Sequence, residues 1–340
     1  MNGAAINCRF AYAAFAACAL SLLALMMLQS KPVVVNVMPG QSVDLAPGIA
    51  LEIHSFDVQH RENGTVDQYH VAGELDRHPF KASVNRPAEI NGTWIAISDF
   101  GSILVSRGGI RLRLVAALGI ALFALVWIKA GVGWMCVTAS LFAANWLGSS
   151  GDVHAFNALQ SVWGFMLASA IVLPFLALRD RSFSWVDLAL ELLLIVPLFI
   201  LRRGHGELPP ALQSPFFIPH VGCYVFGYLL IVRAALGRGI DLVPAGFAFM
   251  TTGLALGATW AQYCWGSWWS WDPKECWSLA AWATTGTFLM AGKRLRPWLL
   301  RASAVLIIAT LTLVNFSSAF QGRHSYATTE ESTSNNRGNP

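Results

Sequence analysis

Hydrophobic and polar positions divide the chain into regimes that alternate along its length. Phe10 to Leu28 is an apolar run of membrane-span length behind a single Arg9. It is long for a signal-peptide core and no small-residue cleavage site follows it, so residues 1–30 read as a retained transmembrane anchor. From 31 to 109 the pattern turns to alternation, as in Ala50-Leu-Glu-Ile-His-Ser-Phe-Asp-Val58, the period of a strand with one buried face. Asn63-Gly64 and Asn91-Gly92 fall between such stretches and signal hairpin turns, because both residue types tolerate positive φ. From Leu112 onward apolar runs return, with candidate spans near 112–128, 131–147, 161–178, 185–201, 218–236, 244–262, 277–292 and 301–320. With the first anchor these make nine. Polar breaks separate them at Lys129, Arg179-Asp-Arg181, Arg233 to Asp241 and Lys293 to Arg301, and the polar stretch 328–340 reads as a disordered tail.

Charge placement orients the spans. With the N-terminus inside, the inner segments hold Arg9, Lys129, Arg179, Arg181, Arg233, Arg238, Lys293, Arg294, Arg296 and Arg301, ten in all. The short outer loops and the tail hold five: Arg202, Arg203, Lys274, Arg323 and Arg337. That excess follows the positive-inside rule. The expected fold class is therefore an all-α polytopic membrane protein of about nine transmembrane helices, with one small β-rich extracytoplasmic domain.

Composition agrees with that class. The 340 residues are 55% hydrophobic and only 12% charged, with a mean hydropathy of +0.51, values outside the soluble globular range. The net charge of +4 is small and spread among membrane loops, so it leaves no nucleic-acid footprint. Six cysteines (8, 18, 136, 223, 264 and 276) include no C-x-x-C pair and no C-x-x-C-H. The spacing fits neither a disulfide scaffold nor a c-type cytochrome. Cys264 and Cys276 read as small apolar packing residues. His54, His60, His70 and His78 match no metal-ligand spacing and read as strand-surface histidines.

One stretch organises the rest: Trp265-Gly-Ser-Trp-Trp-Ser-Trp-Asp-Pro-Lys-Glu-Cys-Trp277. Five of its 13 residues are tryptophan, Trp282 lies five positions on, and Trp260 precedes it at the end of an apolar run. Its second half reads as a helix start, with Asp272 as N-cap, Pro273 as first helical residue and Glu275 completing a capping box. The tryptophans ahead of the cap then form a shelf along the membrane surface. Two readings stand open for such a shelf, an aromatic belt and a ligand platform; the belt explains neither the local density nor Gly266, which admits something flat against the backbone.

Two histidines share the face of this shelf in the expected topology. His220 follows Pro219 at the outer start of its span, after Glu207-Leu-Pro-Pro-Ala-Leu-Gln-Ser-Pro215, and His324 follows the outer end of the last span in Gln321-Gly-Arg-His-Ser-Tyr326. A lone interfacial histidine is most often a polar end-cap. Two converging on a Trp platform suit haem, whose iron takes neutral imidazoles and whose ring needs an aromatic floor.

The segment WGSWWSWDPKECWSLAAW resembles the tryptophan-rich WWD signature of haem-handling proteins in cytochrome c biogenesis, and is most similar to the CcsA (ResC) proteins of system II. The resemblance extends to LPPAL ahead of His220 and to the G-x-H-S-Y segment around His324, and implies that these are the external axial ligands of haem iron. It makes Trp265, Gly266, Trp268, Trp269, Trp271, Asp272, Pro273, Lys274, Glu275, Trp277 and Trp282 the platform for haem b. Lys274, Arg323 and the Arg202-Arg203 pair are candidates for the propionates. Asp152-Val-His154-Ala-Phe-Asn157 partly resembles a further family segment but lacks its proline, so His154 reads as structural, and His205 as solvated. Met290 stands where the family has an intramembrane histidine, which argues against a haem relay through the membrane.

Val84-Asn-Arg-Pro-Ala-Glu-Ile-Asn-Gly-Thr-Trp-Ile-Ala-Ile-Ser98 resembles the last extracytoplasmic part of CcsB (ResB), the usual partner of CcsA. That implies four parts: an anchor (1–30), a shortened CcsB-like β domain (31–109), a CcsA-like membrane domain (110–327) with its Trp-rich motif at 260–282, and a tail (328–340). The implied activity is a holocytochrome c synthase that joins haem to a C-x-x-C-H apocytochrome c, in the bacterial inner membrane with its haem site facing the periplasm. A CcsB-like subunit and a thiol reductant protein are further implied partners. No side chain has the surroundings of a nucleophile or tuned general acid, so the chemistry expected of the chain is positioning and control of the iron. Two rivals remain: a non-catalytic haem exporter or chaperone serving a separate synthase, and a structural assembly subunit without haem.

Overall fold

A computed structural model describes residues 33–36, 39–46, 49–62, 64–99, 102–107, 176, 180, 184–190, 192–193 and 210–316. The expected anchor, the spans near 112–128, 131–147 and 161–178, most of that at 185–201, and the tail lie outside the described residues. So do His154, Arg202, Arg203, His205, Arg323 and His324.

The alternating region forms eight strands: β1 (Val33–Asn36), β2 (Ser42–Ala46), β3 (Ile49–His60), β4 (Val66–Leu75), β5 (His78–Ser83), β6 (Ala88–Ile90), β7 (Thr93–Asp99) and β8 (Ser102–Arg107). They pair antiparallel into two four-stranded sheets, ordered β1-β8-β7-β6 and β2-β3-β4-β5. Alternation buries Leu51 and Ile53 of one sheet and Ile95, Ile97, Ile103 and Val105 of the other in one shared core. Each fully buried aliphatic side chain of this kind contributes about 1.5–3 kcal/mol. Asn91 and Gly92 both take positive φ and join β6 to β7 with Ile90 opposite Thr93, the expected two-residue hairpin. A second hairpin of this type carries no glycine: Asp76 and Arg77, with φ of 48° and 63°, join β4 to β5. His54, His60, His70 and His78 all lie exposed on strands.

After a 3₁₀ turn (Pro210–Leu212) come four helices: α1 (Phe217–Ala235), α2 (Val243–Trp265), α3 (Pro273–Met290) and α4 (Arg296–Phe316). They match the expected spans at 218–236, 244–262, 277–292 and 301–320, with α2 running three residues further so that Trp265 ends the helix. Two helices, Phe217–Ala235 and Ile240–Trp265, are long and apolar enough to cross a membrane by length and composition. α1 and α2 pack backbone to backbone: a Cβ on Gly227 would lie 3.0 Å from the Gly246 carbonyl oxygen, the close approach that small residues permit between membrane helices. Between α3 and α4, Thr285 and Ser303 share a buried hydroxyl hydrogen bond of 2.5 Å.

The two ends of α1 differ in kind. At its start, Leu212, Phe217, Trp260, Ala261, Cys264 and Trp265 join the core of the β domain. At its far end Arg233, fully buried, donates from Nε to Asp187 at 2.7 Å and from one terminal nitrogen to Asp180 at 2.8 Å, while Arg238 reaches Asp187 at 3.2 Å. Thirteen residues of helix, about 20 Å, separate His220 from Arg233. The breaks around 180 and 233–241, both expected on the inner side, therefore meet at one end of α1, and the β domain and Trp stretch at the other.

Candidate functional site

Sequence builds the shelf through its two helix ends. α2 stops because Gly266 adopts φ of 66°, its N–H bonding back to the Gln262 carbonyl, a left-handed C-cap that suits glycine. That is the backbone role the structure gives Gly266. α3 starts with the expected capping box: the Asp272 carboxylate accepts from the Lys274 N–H at 2.8 Å and Glu275 accepts from the Asp272 N–H at 3.2 Å. The same Glu275 oxygen accepts from the Ser270 N–H at 2.9 Å and its hydroxyl at 3.1 Å, so one buried carboxylate ties the loop to the helix. Between the two tethered residues Trp271 is forced to φ of 60°, a conformation bulky side chains avoid. Its ring stands half exposed, edge-on to Trp269 at 6.2 Å. The Trp269 indole N–H is buried with no acceptor among the described residues. Lys274 precedes the span expected from 277, and burial pushes its ammonium below the usual lysine range while Asp272 opposes the shift.

His220 sits in the first turn of α1, where its ring meets Tyr224 edge-on at 5.1 Å and Trp260 at 5.8 Å. Trp260 in turn lies 5.9 Å from Trp265, so a chain of rings runs from His220 to the start of the shelf. His220 Nδ1 is 2.8 Å from the Gly253 carbonyl. A carbonyl only accepts, so Nδ1 carries the proton and the ring lone pair belongs to Nε2, the tautomer that metal-ligating histidines adopt. Space for the ring comes from Gly257, where a Cβ would fall 2.5 Å from His220 Cε1.

The remaining predicted residues divide. Trp282 stacks on Phe247 at 5.4 Å and donates to Thr251 Oγ at 2.9 Å, so it is held against the middle of α2, away from the shelf. Trp277 and Pro273 are half-buried in the first turns of α3. Met290 is exposed at the far end of α3. Cys264 is buried, and Cys276 is half-exposed with its thiol directed at the Trp271 carbonyl 3.5 Å away. Among the described residues no group of three or more histidines, cysteines or carboxylates gathers to hold a metal ion.

Sequence reasoning missed Gly253, Gly257 and Asn85. The first two carry a readable signal, since their four-residue spacing marks a small-residue face on an apolar helix. Asn85 carries none, because its partners lie 125 and more positions away.

Residues 240–321 match the family described as Cytochrome C assembly protein. A protein named cytochrome c biogenesis protein CcsA from Cuscuta exaltata is 32% identical over 144 residues, covering 40% of this chain and 44% of the relative. The protein of the same name from Prochlorococcus marinus (strain NATL1A) is 46% identical over 67 residues, 20% of this chain and 21% of the relative. That from Trieres chinensis is 25% identical over 190 residues, 54% and 56%. The chain thus spans about half the length, or less, of the curated relatives it matches. The apolar helices and the shelf lie in and beside the matched region, and that part of the chain is similar to CcsA proteins, which are integral membrane proteins.

Proposed function

We propose that the chain acts in cytochrome c biogenesis as a holocytochrome c synthase that binds haem b at the extracytoplasmic membrane face. The observation that carries this reading is the His220 imidazole, held by Gly253 in its Nδ1–H tautomer and lined up through Trp260 with the Trp shelf. His324 supplies the second axial ligand. Trp269's buried N–H fits the same ligand, since a haem propionate offers the acceptor that the described residues do not. Trp271, held half exposed by Glu275, presents an aromatic face to the porphyrin edge.

In the reaction each apocytochrome cysteine thiol adds across a haem vinyl group. Sulfur bonds to the carbon next to the ring, the thiol proton ends on the terminal carbon, and no net redox change occurs. The residues of the chain orient haem and exclude water, and intramolecular positioning of this kind can supply roughly 7–11 kcal/mol. The β domain packs on the Trp265 end of α2, which supports a synthase, whose CcsB-like part would meet the apocytochrome, over a haem chaperone. A CcsB-like subunit and a thiol reductant protein complete the proposed machinery in the bacterial inner membrane.

The test uses a host stripped of its own cytochrome c assembly genes, supplied with this protein and an exported C-x-x-C-H apocytochrome. Haem staining on a denaturing gel detects only covalent haem. A stained cytochrome band that His220→Ala abolishes is the expected outcome. Haem-loaded protein without a stained cytochrome, even with thiol reductant present, would make the chain a haem chaperone.

A further inference from the structure

Asn85 occupies an unusual place between the β domain and the helices. It is the second residue of a tight turn, Val84-Asn85, closed by reciprocal hydrogen bonds of 3.0 and 2.9 Å between the backbones of Ser83 and Arg86, and its φ is 64°. Asparagine tolerates that backbone, but the side chain does more than permit the turn. Its amide nitrogen lies 2.9 Å from the Pro210 carbonyl and 3.1 Å from those of Ala211 and Gln213. Its amide oxygen accepts from the Trp260 indole N–H at 3.1 Å, which also reaches the Ala211 carbonyl at 3.1 Å. The orientation of the amide is forced, because three carbonyls can only accept and an indole N–H can only donate.

Both sets of partners lead to His220. The carbonyls belong to the 3₁₀ turn that launches α1 and to Gln213 just after it, and the launch is hydrogen bonded onward: Phe217 N–H to Ser214 at 3.1 Å, then His220 N–H to Phe216 at 3.0 Å. Trp260 is the ring against the His220 edge, 5.8 Å away. A second grip holds the same turn, since Gln213 donates to the Asp67 carbonyl at 3.0 Å and Asp67 pairs with Arg61 at 2.8 Å. One buried amide thus fixes the helix phase behind the imidazole and the wall beside it.

We propose that Asn85 of the β domain is a positioning residue that sets the pose of His220 for iron ligation. The assignment rests on the haem reading above, so its test begins without haem. Diethyl pyrocarbonate modifies neutral imidazole, and mass spectrometry of the full chain reports the rate at each histidine. Asn85→Gly keeps the positive-φ turn and removes the clamp, while Trp260→Phe keeps a ring beside His220 and removes the indole donor.

In haem-free protein each variant should raise His220 modification by about fivefold, the equivalent of one net hydrogen bond. Exposed His54 and His78 should react at wild-type rates, which shows that the reagent dose is equal across the variants. After haem loading, the low-spin fraction of the Asn85→Gly absorption spectrum should fall, and added imidazole should restore it. Unchanged His220 rates in both variants overturn the proposal. A raised rate together with a spectrum indifferent to Asn85→Gly and to His220→Ala keeps the positioning role and removes the ligand role. If Asn85→Gly fails to fold, Trp260→Phe carries the test alone, since it keeps an aromatic ring in the core that the β domain and α2 share.

Discussion

Trp271 offers the sharpest test of the shelf, because its ring and its backbone have opposite effects on stability. Its φ of 60° is imposed by Glu275, which holds the N–H groups on either side of it at 2.9 and 3.2 Å. For a residue with a Cβ, that conformation costs about 1–2 kcal/mol. Trp271→Ala and Trp271→Gly lose the same edge contact with Trp269, worth about 0.5–1.5 kcal/mol. Only glycine also relieves the backbone. Glycine's freer unfolded chain takes back about 0.4–1 kcal/mol, so Gly should exceed Ala by roughly 0.5–1 kcal/mol. That order reverses the usual one away from positive φ. The assay is reversible denaturant unfolding of the haem-free protein in detergent, followed by haem titration. Both variants should bind haem more weakly, because the ring is gone from the shelf. Alanine matching glycine in stability would refute the strained backbone. Full haem affinity in both would reduce the ring to an interfacial belt.

Three other outcomes follow from the geometry. Gly257→Ala places a methyl 2.5 Å from His220 Cε1 and 2.7 Å from Nδ1; the ring must leave Gly253, and the bound haem should shift from low to high spin in its absorption spectrum, an unshifted spectrum counting against His220 as ligand. Asp272→Ala removes the N-cap of α3 and should cost about 1 kcal/mol of unfolding free energy, with haem dissociating faster in a transfer assay to apomyoglobin; wild-type values for both would leave the cap without a part in the shelf. Asp187→Ala leaves Arg233 buried with one carboxylate fewer and should destabilise the detergent-solubilised protein by about 3–5 kcal/mol, read as proteolytic susceptibility, whereas wild-type resistance would mean water already reaches that charge.

Local chemistry was legible without the fold. Asp272, Pro273 and Glu275 announce a helix start because a capping box involves only neighbours in the chain, and the structure forms it. Asn91-Gly92 announces a hairpin because two positive φ values are a property of those two residues. The four described helices follow the apolar runs, and two of them are long and apolar enough to cross a membrane. What tertiary structure decided is everything that depends on contact across the chain. Trp282 reads like its shelf neighbours in sequence, yet packing against Phe247 and Thr251 sends it to the helix interface. His220 is singled out by its place beside the shelf and by the LPPAL resemblance, but only the fold shows that Gly253 supplies the carbonyl that selects its tautomer and Gly257 the space for its ring. Asn85 has no role in the sequence beyond its place in the CcsB-like segment, and only the docking of the β domain on α2 turns its amide into a clamp between Pro210, Gln213 and Trp260. Periodicity and caps are short-range and therefore written in adjacent residues; a hydrogen bond spanning 125 or 175 positions has no local pattern and exists only once the chain has folded.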